Sequence, residues 1–281
     1  MDNENTKNGG KPATKVKLRL DVKDVVRKRK DEDAQAAPPD GVTVLYEDNH
    51  LLVVLKPQNV PTQGDSSGDT DLLTMLKKYL VEKYNKQGNA YLGMVHRLDR
   101  PTGGVMVFAK TSKAASRLCE QIRDTDSEFE KTYLSVVNGR PSREGKIEHY
   151  LAKDEKTNMV TVVPSTLEGA KKAESEIKVL DERDGLSLVS VNLITGRSHQ
   201  ARVQLKALSC PIVGDVKYGG DKAVKSPHLA LWAYKLTFAH PVTGEKLRFI
   251  ALPPSEFPWT AFDTESLVDV IRPQSGNHYK L

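Results

Sequence analysis

Between positions 42 and 251, apolar runs alternate with short polar breaks, and their lengths and periods separate strands from helices. Val42–Tyr46 and Leu51–Leu55 read as two strands joined by the Glu47-Asp48-Asn49-His50 turn, and Lys56-Pro57 closes the second. A Ser/Gly/Asp loop at Gly64–Gly68 precedes a helix over Asp71–Tyr84, where Leu72, Leu73, Leu76 and Leu80 fall on one face. A strand at Val105–Ala109 leads to a helix over Ser112–Arg123 and then to a strand at Thr132–Val137. Further strands are predicted at Met159–Val163, Glu174–Leu180 and Leu186–Leu193. A helix over Ser198–Leu208 follows, with Ala201, Leu205 and Leu208 together. Leu231–His240 and Glu245–Ala251 flank Pro241-Val242-Thr243-Gly244, a good hairpin turn. Strands outnumber helices and several are consecutive. The expected class is α+β: a mixed, largely antiparallel sheet flanked by helices and loops.

The two ends differ from this pattern. Residues 1–40 are polar and charge-dense, with Arg27-Lys28-Arg29-Lys30 running into Asp31-Glu32-Asp33. They read as a flexible segment with at most a short strand near Val16–Leu20. One folded unit is expected over 41–256, followed by an extension over 257–281. Hydrophobic residues make up 38% of the 281, enough for a sizeable core, and no apolar run approaches the roughly 18 residues that cross a bilayer. The start carries neither a secretory nor a transit pattern, so a cytoplasmic protein is expected. A formal charge of +5 permits an acidic polymer as partner without requiring one. Cys119 and Cys210 read as buried free thiols. The seven histidines lack metal-ligand spacing, and no metal is expected.

Two stretches could carry chemistry. His96-Arg97-Leu98-Asp99-Arg100-Pro101-Thr102-Gly103-Gly104 places one acid among arginines in a tight loop running into a strand. Close guanidinium charge would hold Asp99 ionised as a nucleophile or base. An acid that caps a turn and pairs with arginine for structural reasons has the same signature. Thr195-Gly196-Arg197-Ser198-His199-Gln200-Ala201-Arg202 opens a helix with donors and positive charge suited to a phosphate or carboxylate, though helical arginines are usually ordinary surface residues.

Taken in order, these stretches resemble the RluA-type family of RNA pseudouridine synthases. The likeness also includes Val53–Pro57, the strand Lys131-Thr132-Tyr133-Leu134, Pro211–Asp215 with Tyr218-Gly219-Gly220, and Leu229–Gly244, so it covers roughly Val42 to Pro254. It implies the pseudouridine synthase fold and isomerisation of particular uridines in structured rRNA or tRNA, with the base flipped out of its helix. It makes Asp99 the essential carboxylate, Tyr133 the tyrosine that stacks on the uracil, and Arg202 the partner of Asp99. Leu231 would pack against the ring, and Lys56, ending its strand near the pocket, is expected among the residues that meet substrate. His96, Arg97, Arg100 and Arg197 are expected around the substrate, the arginines on phosphates.

Isomerisation changes neither composition nor oxidation state, so no cofactor is implied. Many relatives carry an N-terminal S4 RNA-binding module, which forty polar residues cannot form, so the catalytic domain is expected to grip RNA itself, as a monomer. Trp232 stands where the family usually has His, Gly103 where Ser is commoner, and Ala201 where a branched residue is usual. A non-catalytic RNA-binding protein of the same fold is the rival reading, against which the intact Asp99, Tyr133 and Arg202 argue.

Overall fold

The computed structural model describes residues 18–19, 37–124, 126–220 and 224–266. In chain order it forms β1 (Leu18–Arg19), β2 (Thr43–Glu47), β3 (Leu51–Lys56), α1 (Leu72–Lys83), β4 (Gly93–Met94), β5 (Gly103–Ala109), α2 (Ser112–Arg123) and β6 (Glu130–Asn138). There follow β7 (Gly145–Asp154), β8 (Met159–Val163), β9 (Lys171–Arg183), β10 (Leu186–Leu193), α3 (Gln200–Ala207), β11 (Leu231–Ala239) and β12 (Lys246–Ala251). The strands make one sheet in the order β2-β3-β5-β11-β6-β10-β9-β7-β8, with β4 on β5 and with β12 joining β11 to β1. Every pairing is antiparallel except β5 with β11, which touch at Gly103–Trp232 and Gly104–Ala233. The α+β expectation holds.

The unbroken apolar run of β3 has a direct structural cause. Leu52 and Val54 face one core with Met106 and Phe108 of β5, covered by α1 through Leu72, Leu76, Tyr79 and Leu80. Leu51, Val53 and Leu55 face a second core with Val105 and Val107, covered by Ala114 and Leu118 of α2. A strand buried on both faces does not alternate apolar with polar residues. The helix starts are set by side-chain caps: Asp71 accepts from the Thr74 amide at 3.0 Å and Thr111 from the Ala114 amide at 3.2 Å.

Three expectations need adjustment. The strand β7 is absent from the sequence reading. It fully buries only Ile147 and Leu151 and is held by backbone pairing to β8 and β9. Cys119 is only half-buried, whereas Cys210 is buried. The core continues past residue 256, since Trp259 and Phe262 are buried in it. Of the charged N-terminal stretch, β1 pairs Leu18 with Ala251. The expected flexible segment otherwise lies outside the described residues up to Ala36, as does the extension from residue 267 onward.

At the β5–β11 contact, a Cβ on Gly103 would run into the Trp232 ring and come within 2.9 Å of Gln58 Cγ. Trp232 is itself fixed, donating from Nε1 to the Ala251 carbonyl at 2.9 Å. The two departures from the family pattern are therefore one packing arrangement, in which the indole takes the space of a side chain at 103. Gly103→Ser alone is expected to lower stability by roughly 1–3 kcal/mol. Adding Trp232→His should recover part of that loss, and thermal melts of both single variants and the double variant would show the coupling as non-additivity.

Candidate active site

The loop carrying Asp99 runs from β4 to β5, and buried side chains satisfy its carbonyls. Lys56, wholly buried, donates from Nζ to the carbonyls of Pro57 at 3.0 Å, Arg100 at 3.0 Å and Thr102 at 2.7 Å. Thr62 Oγ1 donates to the Leu98 carbonyl at 2.8 Å, and Gln58 Nε2 to those of Pro101 and Leu229. Leu98 is anchored in the core and the neighbouring Asp99 side chain stays partly open. Burial pushes the Lys56 ammonium down to about 7, against the opposing pull of Asp99. Its position corrects the expectation that it meets substrate: Lys56 braces the loop from beneath.

Asp99 opens into a cleft of about 320 Å³ lined also by His96, Arg97, Lys131, Tyr133, Arg197, Arg202 and Leu231, within the range of small-molecule sites. Arg202 projects from α3 and is held by Asp215 in a two-point clamp: Nε donates to Oδ2 at 2.8 Å and Nη2 to Oδ1 at 2.7 Å. Its third nitrogen, Nη1, reaches Asp99 Oδ2 at 3.4 Å. The amides of Lys217 and Tyr218 also donate to Asp215, both at 3.0 Å, and the Tyr218 ring lies beneath the guanidinium. Burial chiefly, and then the charge of Asp99, push the Tyr133 hydroxyl above its usual range.

The arginines beside Asp99 in sequence are not its partners. Arg100 turns outward to Asp65, Asp69 and Ser67, and Arg97 is exposed at the mouth. His96 lines the cleft, but its Nε2 accepts from the Val107 amide at 3.0 Å and its ring packs on Phe129. Burial first, and Lys131 second, push it down to about 3. It is therefore neutral at pH 7. Arg197 is exposed at the rim, its Nε donating to the Lys172 carbonyl.

Eight of the nine expected site residues line the cleft or the adjoining one, and Lys56 does not. The adjoining cleft, about 370 Å³, shares Arg97, Asp99, His199 and Arg202 with the first and adds Arg100 and Lys217. A third, also about 370 Å³, shares Gly196, Arg197 and Ser198 and adds Lys153 and Lys171. Asp99 thus sits midway along a continuous, cation-rich track. The sequence assigns no role to Asp215, Tyr218 or Lys131. Asp215 and Tyr218 stood in the Pro211–Gly220 stretch, where their types and order carried the family likeness without showing what they hold. Among the described residues no group of His, Cys, Asp and Glu side chains is placed to hold a metal.

A cleft with one braced carboxylate, opening midway along a cationic track on a mixed sheet, suits an enzyme that works on single nucleotides of a polyanion. The family model described as RNA pseudouridylate synthase matches residues 50–207. Ribosomal large subunit pseudouridine synthase D of Neisseria meningitidis serogroup A is 32% identical over 269 residues, covering 91% of this chain and 68% of its own. Ribosomal large subunit pseudouridine synthase C of Rickettsia bellii is 34% identical, covering 76% of this chain and 69% of its own. Among solved structures, human RNA Pseudouridylate Synthase Domain Containing 4 superposes with a TM-score of 0.62 at 25% identity, covering 75% of this chain and 88% of that one.

The chain belongs to the RNA pseudouridylate synthase family. It is an isomerase whose substrate is RNA. No helix among the described residues is long and apolar enough to cross a membrane.

Proposed function

We propose that the 320 Å³ cleft receives a uridine swung out of ribosomal RNA and that Asp99 is the carboxylate that starts the isomerisation. The observation that carries this reading is the chain of contacts Asp215–Arg202–Asp99. It aims one carboxylate oxygen pair into a cleft walled by Tyr133 and Leu231. Asp99 attacks the nucleotide or takes a sugar proton. The bond from the sugar carbon to uracil nitrogen then breaks, the base turns, and the sugar is rejoined to a ring carbon. Tyr133 stacks on the base, Leu231 packs against the ring, and Arg202 orients Asp99. Unstacking a base costs on the order of a few kcal/mol, which stacking and backbone contacts offset.

The exposed Arg97 and Arg197 and the half-buried Lys217 lie along the track on either side of Asp99 and would follow the flanking phosphates. The catalytic unit spans 41–256 with the following residues to Phe262 packed on it, and it acts as a monomer in the cytoplasm. The names of the Neisseria and Rickettsia relatives point to large-subunit rRNA as the target.

The test compares rRNA and tRNA from cells with and without this gene by carbodiimide adduct mapping of pseudouridine. At least one site in large-subunit rRNA should vanish on deletion and return with the wild-type gene but not with Asp99→Asn. Restoration of every lost site by Asp99→Asn would remove Asp99 from the chemistry.

A further inference from the structure

Lys131 has no part in the scheme above. Residues two apart on a strand share a face, so Lys131 and Tyr133 of β6 point the same way, and both line the cleft of Asp99. Lys131 is only 9% exposed. Among the described residues, no carboxylate or carbonyl accepts from its Nζ. The adjacent Glu130 is taken by Lys235 at 3.1 Å, and His96, across the cleft, is neutral. Nζ rests against the Gly196 turn, where an added Cβ would lie 3.3 Å away. Lys131 is the reverse of Lys56, another buried lysine, which has three carbonyl partners.

Most of the Lys131 side chain is buried while Nζ keeps access to the cleft; an ammonium with no protein acceptor in such a place is costly, and folds tolerate one where a ligand supplies the missing acceptor. The exposed arginines at the rim are placed for phosphates, which keep much of their hydration. Lys131 is buried where they are exposed, and it lines the cleft on the tyrosine's own face. We propose that the Lys131 ammonium donates to a carbonyl oxygen of the flipped uracil and holds the detached base during its rotation. This rests on the function proposed above. When the bond between C1′ and N1 breaks, its electron pair leaves with the ring, and the negative charge spreads over N1, O2 and O4. Lys131 balances that charge without giving or taking a proton. When C5 joins C1′, the C5 proton is lost to solvent and N1 takes one up, so the isomerisation closes with no other reactant. A cation fixed where charge develops, in a site shielded from water, lowers that barrier.

The test uses the full chain and a transcript of the rRNA segment whose site the deletion maps. Lys131→Met, nearly equal in length, should slow single-turnover pseudouridine formation about 10²-fold, as losing a preorganised donor does in other enzymes. The RNA Kd and its salt slope should stay unchanged, and the melting temperature should hold or rise because an unpaired buried charge has gone. Lys131→Leu should be slow in the same way, which separates charge from local packing. A wild-type rate in either folded variant overturns the proposal. So does weakened binding with a salt slope reduced by about one, which would assign Lys131 to a phosphate. If wild-type protein forms no pseudouridine in any RNA while Lys131→Met still binds RNA normally, the functional reading fails instead.

Discussion

Arg202→Ala is expected to cut single-turnover pseudouridine formation by at least about 10²-fold, while RNA affinity changes only a few-fold. Three physical consequences combine. Asp99 loses the guanidinium nitrogen at 3.4 Å that orients it. Asp215, with a side chain only 1% exposed, loses both charge-assisted bonds and keeps the Lys217 and Tyr218 amides. Breaking a buried pair from one side typically costs about 3–5 kcal/mol, because the remaining charge stays desolvated. RNA affinity should survive, since the cations that would meet phosphates, Arg97, Arg197 and Lys217, belong to other contacts along the track.

Urea unfolding, filter binding and single-turnover kinetics on one preparation separate the three effects. Arg202→Lys should rescue little, because an ammonium cannot replace a planar fork that engages Asp215 at two points and Asp99 at a third. A fully active Arg202→Ala would show that Asp99 needs no partner, and normal turnover of bound RNA with greatly weakened binding would recast Arg202 as an RNA-gripping residue.

What the sequence revealed and what it concealed divide along physical lines. The helix α2 is bounded by a threonine cap and a polar loop, both local signals, and its predicted and observed limits coincide at Ser112 and Arg123. The run Leu51–Leu55 signalled a strand, and its lack of alternation followed from helices on both faces. The strand β7 gave too little apolar signal, because edgeward strands are held largely by backbone pairing, which any residue can supply.

Charge pairing was the least legible part. Sequence neighbours made Arg97 and Arg100 the natural partners of Asp99. A loop this tight turns adjacent side chains in different directions, and the partner came from a helix 103 residues away. Lys56 and Lys131 are both lysines near one end of a predicted or observed strand, and nothing in the sequence tells their surroundings apart. Only the tertiary fold surrounds one with carbonyls and leaves the other facing a cleft. The family likeness supplied Arg202 and Tyr133, whereas Asp215 was visible as a motif letter with no stated work.

Gly104→Ala is expected to destabilise the protein by more than about 4 kcal/mol, a loss that ordinary substitutions rarely reach. Gly104 has φ +120°, a conformation that costs an L-residue on the order of 1–3 kcal/mol by itself. A Cβ there would also meet the backbone of Ala233, at 2.6 Å from its nitrogen, 2.8 Å from its carbonyl carbon and closer still to the oxygen. Side chains can swing away from such a collision, but a backbone fixed in a sheet cannot. Ala233 lies in β11 between β5 and β6, and opposite it in β6 stands Tyr133.

Moving β11 to admit a methyl group would therefore displace Leu231 and Tyr133, two walls of the cleft, together with the end of the loop that carries Asp99. Gly139→Ala is the matching control: its φ is +78°, and nothing lies within 4 Å of the added carbon, so only the conformational cost remains. Chemical denaturation of both variants isolates the steric part as the difference between them. Equal losses would mean that β5 and β11 can separate freely at this rung, and the close parallel contact could not be what sets the Asp99 loop against the tyrosine wall.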